Sequence, residues 1–143
     1  MNSLTLAQTI ATEAHRGQVD KGGKPYITHP AAVASMVETE EEKTAAWLHD
    51  VVEDTSVTLE DLRRHGFSER IVSAVDAVTR RKGEDRQAYL ERVAENDIAI
   101  NVKLADLRHN SDISRIPHVT EKDRERVSKY AEEIAYLESV KRK

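Results

Sequence analysis

The chain has 143 residues, of which 34% are charged, 38% apolar and only 4% aromatic, with a net charge of −4 and no cysteine. That length suits one compact domain with a core built from Ala, Val, Leu and Ile. The acidic balance argues against wholesale binding of duplex nucleic acid. The lack of cysteine removes disulfides, thiolate metal sites and a cysteine nucleophile, and no apolar run reaches the ~18 residues of a membrane span.

Helical periodicity dominates the chain. Ser3 can cap a first helix carrying Leu6, Ala7, Ile10, Ala11 and Ala14, ended by Gly17. Residues 18–29, with Gly22, Gly23 and Pro25, read as a loop, and Pro30 suits the first turn of a second helix holding Ala31, Val33, Ala34 and Val37. A third helix is predicted over 41–53, packed through Ala45, Ala46, Leu48, Val51 and Val52. Thr58 with Asp61 forms a capping box for a short helix closed by Gly66, and Ser68 caps another containing Ile71, Ala74, Val75 and Val78. The polar stretch 80–86 is the segment most expected to move. Helices follow over 86–95 and 97–114, and Pro117 then breaks the chain. Thr120 with Asp123 opens a last helix with Val127, Tyr130, Ile134 and Leu137 on one side. No alternating strand is visible, so the expected fold is all-α, one domain of about seven or eight helices.

Three segments carry candidate chemistry. In Leu48-His49-Asp50-Val51-Val52-Glu53-Asp54, Glu53 follows His49 by four residues and Asp50 by three, so a helix can aim all three at one region. An imidazole and three carboxylates in an otherwise apolar helix need a compensating cation, and nitrogen and oxygen donors without sulfur suit Mn, Fe, Mg or Zn. An isolated His-Asp pair is more readily a hydrogen-bonded core pair; the adjoining acids favour a metal. In Lys103-Leu104-Ala105-Asp106-Leu107-Arg108-His109-Asn110, an apolar stripe of Ile100, Leu104 and Leu107 leaves Lys103, Asp106 and Asn110 together on another face. That face reads equally as solvated or as a carboxylate ligand between a cation and an amide. His29, before Pro30 at a loop-to-helix junction, would by itself be a cap or a packed residue.

Taken in order, these segments resemble the HD-domain superfamily, and most of all the hydrolase domain of Rel/Spo-type proteins and the small alarmone hydrolases. The resemblance rests on His15-Arg16-Gly17-Gln18, Pro25-Tyr26-Ile27-Thr28-His29-Pro30, Leu48-His49-Asp50-Val51-Val52-Glu53-Asp54-Thr55 and Val102-Lys103-Leu104-Ala105-Asp106, and runs from about residue 6 to 137. It implies a Mn-dependent 3′-pyrophosphohydrolase, with Fe or Zn as other candidate ions, acting on ppGpp or its adenine analogue ppApp. By this resemblance His29, His49, Asp50 and Asp106 ligate the ion, and Glu53 and Asp54 position and activate water. Asn110 contacts ribose and base. Lys21, Arg81, Lys82, Arg126 and Tyr130 hold phosphates or base, and Lys103 joins Lys21 and Arg126 in balancing the pyrophosphate charge.

One departure bears on base choice. The family's Gln-x-Arg-Lys reads Gln18-Val19-Asp20-Lys21, so Asp20 stands where an arginine usually packs near the base. A carboxylate can accept hydrogen bonds from guanine or adenine but offers no cation to stack on either. A nucleoside 5′-monophosphate or NADPH is an alternative substrate, and a nucleotide sensor without turnover an alternative role. The resemblance leaves no room in the chain for a synthetase. The expected partner is a small nucleotide, with no duplex nucleic acid and no membrane. No signal-peptide pattern is seen, and the expected location is the cytoplasm.

Overall fold

The computed structural model describes residues 2–141, and among them every regular element is helical apart from one isolated antiparallel bridge between Val19 and Pro25. The helices are α1 (Ser3–Ala14), α2 (Thr28–Ser35), α3 (Glu40–Leu48), α4 (Val51–Asp54), α5 (Leu59–Arg64), α6 (Glu69–Val78), α7 (Arg86–Ala94), α8 (Asp97–Asn110) and α9 (Glu121–Lys141), with a 3₁₀ turn over Ile113–Arg115. The all-helical expectation holds. The single helix expected over 41–53 is divided into α3 and α4.

Local chemistry sets most helix starts. Asn2, one residue before the expected Ser3, caps α1 by accepting from the Thr5 N–H at 2.8 Å. Thr58 with Asp61 forms the expected capping box, and Thr39 with Glu42 forms a further one, each pair satisfying two orphan helix-end donors. Asn96 takes the Ile98 and Ala99 N–H groups at the start of α8. α1 stops at Ala14, and Gly17 with φ +84° supplies the left-handed residue that turns the chain away.

α8 is the axis of the molecule. From Ile98 to Leu107 every residue but Asn101 is buried, because α2, α3, α6, α7 and α9 surround it. It is a helix apolar nearly all round rather than the amphipathic one expected from a single stripe. A second apolar cluster joins α1, α5 and α6 through Ala7, Ala11, Leu62, Ile71, Val72 and Val75, and Trp47 packs against both clusters. Ala, Val, Leu and Ile supply almost all of this core, as the scarcity of aromatics requires.

Two further expectations change. The helix expected over 97–114 ends at Asn110, where the Ser111 N–H folds back onto the Leu107 and Arg108 carbonyls before the 3₁₀ turn. The polar stretch expected to move is tied at several points. Glu84 binds Arg92 through both oxygens at 2.8 and 3.1 Å, and the Arg80 N–H donates to Glu53 at 2.7 Å. Arg92 also reaches the carbonyls of Asp76, Ala77 and Thr79, so one guanidinium holds the end of α6 to the loop.

Candidate metal centre and its adjoining cavity

The break between α3 and α4 makes the centre. Successive residues in a helix point about 100° apart, so His49 and Asp50 could not face one point inside a continuous helix. Here α3 stops at Leu48 and α4 restarts at Val51, which brings His49 Nε2 and Asp50 Oδ2 to 3.0 Å. α2 contributes His29 from its second residue, and the buried middle of α8 contributes Asp106.

The four groups converge. His29 Nε2 lies 2.8 Å from Asp106 Oδ1 and 3.7 Å from Asp50 Oδ2, and His49 Nε2 lies 3.4 Å from Asp106 Oδ1. All four donor atoms fall within 4.8 Å of one another. Donors ~2.1 Å from a shared ion stand at most about 4.2 Å apart, and the separations of 2.8, 3.0, 3.4 and 3.7 Å lie inside that limit.

The histidine protons fit the same reading. His49 Nδ1 lies 2.6 Å from the Ala46 carbonyl, an acceptor only, so Nδ1 carries the proton and a neutral ring has its lone pair on Nε2. That Nε2 is buried and makes no hydrogen bond. Burial would depress the His49 imidazole, but Asp50 and Asp106 overcome it and hold it well above the usual histidine range. The cluster demands positive charge, and a divalent ion meets that demand where a lone proton otherwise would.

Neighbouring side chains hold the donors. The Tyr26 hydroxyl donates to Asp50 Oδ2 at 2.5 Å, with burial and then Asp50 pushing the phenol above its ordinary range. Lys103 donates to Asp106 Oδ2 at 2.8 Å and Asn110 to Oδ1 at 3.1 Å. Burial opposes the Asp106 anion, yet Lys103 and then the histidines hold it well below the usual carboxylate range. His29 Nδ1 meets His109 Nδ1 at 2.7 Å. Burial, and after it Arg115 and His29, depress His109 to about 4.

The expected acid pair lies beside this centre, its two carboxylates held differently. Glu53 turns toward the 80–85 loop, accepting from the Arg80 N–H, and lines an open cup with Arg80, Arg81, Lys82 and Gly83. Asp54 is raised to about 6, by burial first and then by Asp50 and Glu53. The break after α3 changes the spacing between His49 and Glu53, while Asp50 stands at the N-cap of the short helix that carries Glu53.

On the other side a cavity of about 310 Å³ reaches His29 and Tyr26 and is also lined by Lys21, Asn110, Arg126 and Tyr130. The expected phosphate and base residues therefore divide between two places, Lys21, Asn110, Arg126 and Tyr130 in the cavity and Arg81 with Lys82 in the cup. Lys103 joins neither: it is 9% exposed, bound to Asp106, with its ammonium 5.3 Å from the Tyr89 ring centre. Its ammonium is committed to Asp106, one of the four converging residues. Asp20 also departs from expectation, for both its oxygens are occupied by protein groups.

Tyr26, His109 and Arg115 escaped attention as site residues. Tyr26 and His109 lie inside the motifs quoted above, which was the available signal; Arg115 has none, because only the fold brings it near residue 20. Against known proteins, a family model described as an HD domain matches residues 7–135.

The chain belongs to the HD domain family.

This HD domain is 40% identical over 116 residues to a guanosine-3′,5′-bis(diphosphate) 3′-pyrophosphohydrolase of Haemophilus influenzae, a match covering 71% of the chain and 17% of that protein. It is 37% identical over 122 residues to the bifunctional (p)ppGpp synthase/hydrolase SpoT of Escherichia coli K12, covering 75% and 17%. The HD domain thus spans about a sixth of the length of these relatives. A solved structure described as "A metazoan ortholog of SpoT hydrolyzes ppGpp and plays a role in starvation responses" superposes with a TM-score of 0.79 at 26% identity, covering 96% of this chain and 85% of that one. No helix of the described HD domain is long and apolar enough to cross a membrane.

Proposed function

We propose that this chain is a metal-dependent 3′-pyrophosphohydrolase of (p)ppGpp or its adenine analogue (p)ppApp, located in the cytoplasm and using Mn, with Fe or Zn as substitutes. The carrying observation is the convergence of His29, His49, Asp50 and Asp106, with His29 also lining a cavity of about 310 Å³. The relatives and the structural neighbour named above support the same reaction.

A divalent ion held by those four residues would acidify bound water and neutralise phosphoryl charge. The protein's own groups do the rest. Asn110, already fixed to Asp106, presents its amide at the mouth where a ribose would sit, and Tyr130 with Arg126 offers a second wall from α9. Lys21 brings a cation to the cavity, and Arg81 and Lys82 bring two more to the cup. Asp54 and Glu53 receive the proton of the attacking water as oxygen adds to the 3′ α-phosphorus. The bond from that phosphorus to the ribose 3′-oxygen breaks, pyrophosphate departs, and the 3′-oxygen takes up a proton to become a hydroxyl. Coupling among so many carboxylates assigns the base role to the pair.

Product identity tests this reading. Incubation with ppGpp and with ppApp yields pyrophosphate and the nucleoside 5′-diphosphate; release of single orthophosphate from these or other nucleotides would contradict it.

A further inference from the structure

The loop after α1 and the 3₁₀ turn after α8 lock together beside the cavity. Asp20 Oδ1 accepts from the Gly22 and Lys24 N–H groups at 2.8 and 3.0 Å, and Oδ2 meets Arg115 Nη2 at 3.3 Å. Arg115 Nη1 donates to the His109 carbonyl at 3.0 Å. The backbones also touch, since a methyl group on Gly22 would stand 2.5 Å from the Arg115 carbonyl oxygen. Asp20 is therefore committed to the turn through Oδ1, which takes two N–H groups, and to Arg115 through Oδ2.

What remains available is the Arg115 side chain, a quarter exposed and part of the cavity wall with Val19, Ile116 and Tyr130. Each terminal nitrogen has a donor committed in the guanidinium plane, and the Asp20 carboxylate offsets its charge. Both facts diminish its value to a phosphate, which seeks in-plane donors and net charge. Neither blocks the flat face, which suits a π system beside apolar side chains.

We propose that Arg115, held by Asp20 and the His109 carbonyl, is the wall on which the purine base of the substrate stacks. This rests on the function proposed above and adds its base specificity: a wall that holds the base by its π face accepts guanine and adenine alike. Stacking on a held guanidinium tolerates any purine, because every base has a π face.

Calorimetric binding of GDP, ADP and inorganic pyrophosphate to Mn-loaded protein tests this without turnover. Wild-type protein is expected to bind GDP and ADP within about threefold of each other. Arg115→Ala and Arg115→Lys are each expected to weaken both about tenfold and to leave pyrophosphate binding unchanged. Lysine preserves the charge and can still reach Asp20, so the turn survives while the flat face is lost. Wild-type affinity in Arg115→Lys, an equal loss for pyrophosphate, or a wild-type preference above tenfold for one base would overturn the proposal. If the expected binding pattern appears while ppGpp and ppApp release no pyrophosphate, the hydrolase reading fails and the base wall stands.

Discussion

His29 and His109 face each other edge to edge through their Nδ1 atoms at 2.7 Å, with ring centroids 4.9 Å apart and planes inclined by 28°. Such a contact holds one proton. With His29 Nε2 directed at the ligand cluster, the proton belongs on His29 Nδ1 and His109 accepts it. His109→Ala is therefore expected to weaken metal binding about 10- to 100-fold while the helix content is kept, with partial recovery in His109→Asn, which retains an acceptor. Metal titration followed by elemental analysis checks this; unchanged affinity in the alanine variant would remove His109 from the centre.

Lys103 separates a structural from a substrate role. Its ammonium is buried against Asp106, and burial, which disfavours the charge, is outweighed by Asp106 so that it is held above its ordinary range. Lys103→Met should cost about 3–5 kcal/mol in denaturant unfolding of metal-free protein, since it leaves a buried carboxylate unpaired. Added Mn should recover part of that loss. A raised KM with unaltered stability would instead place Lys103 on the substrate.

Glu53 has two attachments to disentangle, its expected part in activating water and its acceptance of the Arg80 N–H. Glu53→Gln keeps a carbonyl acceptor for that N–H but cannot take up a proton. Turnover is expected to fall by about 10²- to 10⁴-fold with metal content intact, and Glu53→Ala to fall at least as far. Near-wild-type turnover in the glutamine variant would contradict the acid–base assignment.

Glu84 links pH to the loop beside the cup. Hydrogen bonds from Arg92, then from the Arg81 N–H, lower its carboxyl from an ordinary 4.5 to about 2. The folded-state value lies below the unfolded one, so the stabilisation is complete above about 4.5 and is lost as pH falls toward about 2. Wild-type and Glu84→Gln stabilities, measured by urea unfolding, should differ most near neutrality and converge as pH drops through that window. A gap independent of pH would show that packing, not the carboxylate, holds the loop.

Much of this molecule was legible from residue pattern alone, and the exceptions share a cause. Capping boxes at Thr58 and Thr120, the helical periods and the ordered His29, His49-Asp50 and Asp106 set are local signals, and the structure places those four side chains around one point. The interruption at His49-Asp50 was invisible because residues 41–53 keep a helical period on both sides of it. The face holding Lys103 and Asp106 read equally as solvated because its helix shows one apolar stripe, whereas five helices pack around α8. Asp20 read as a base contact because its partner Arg115 is 95 residues away, and only tertiary structure joins them.

The most direct test of the central claim follows pyrophosphate release from ppGpp and ppApp by metal-stripped protein, by the same protein restored with Mn, and by Asp106→Ala. Release only after Mn is restored, and none from Asp106→Ala in either condition, is the predicted result. Stoichiometric Mn retention by wild-type protein with no pyrophosphate from either nucleotide, or full release by Asp106→Ala, would contradict it.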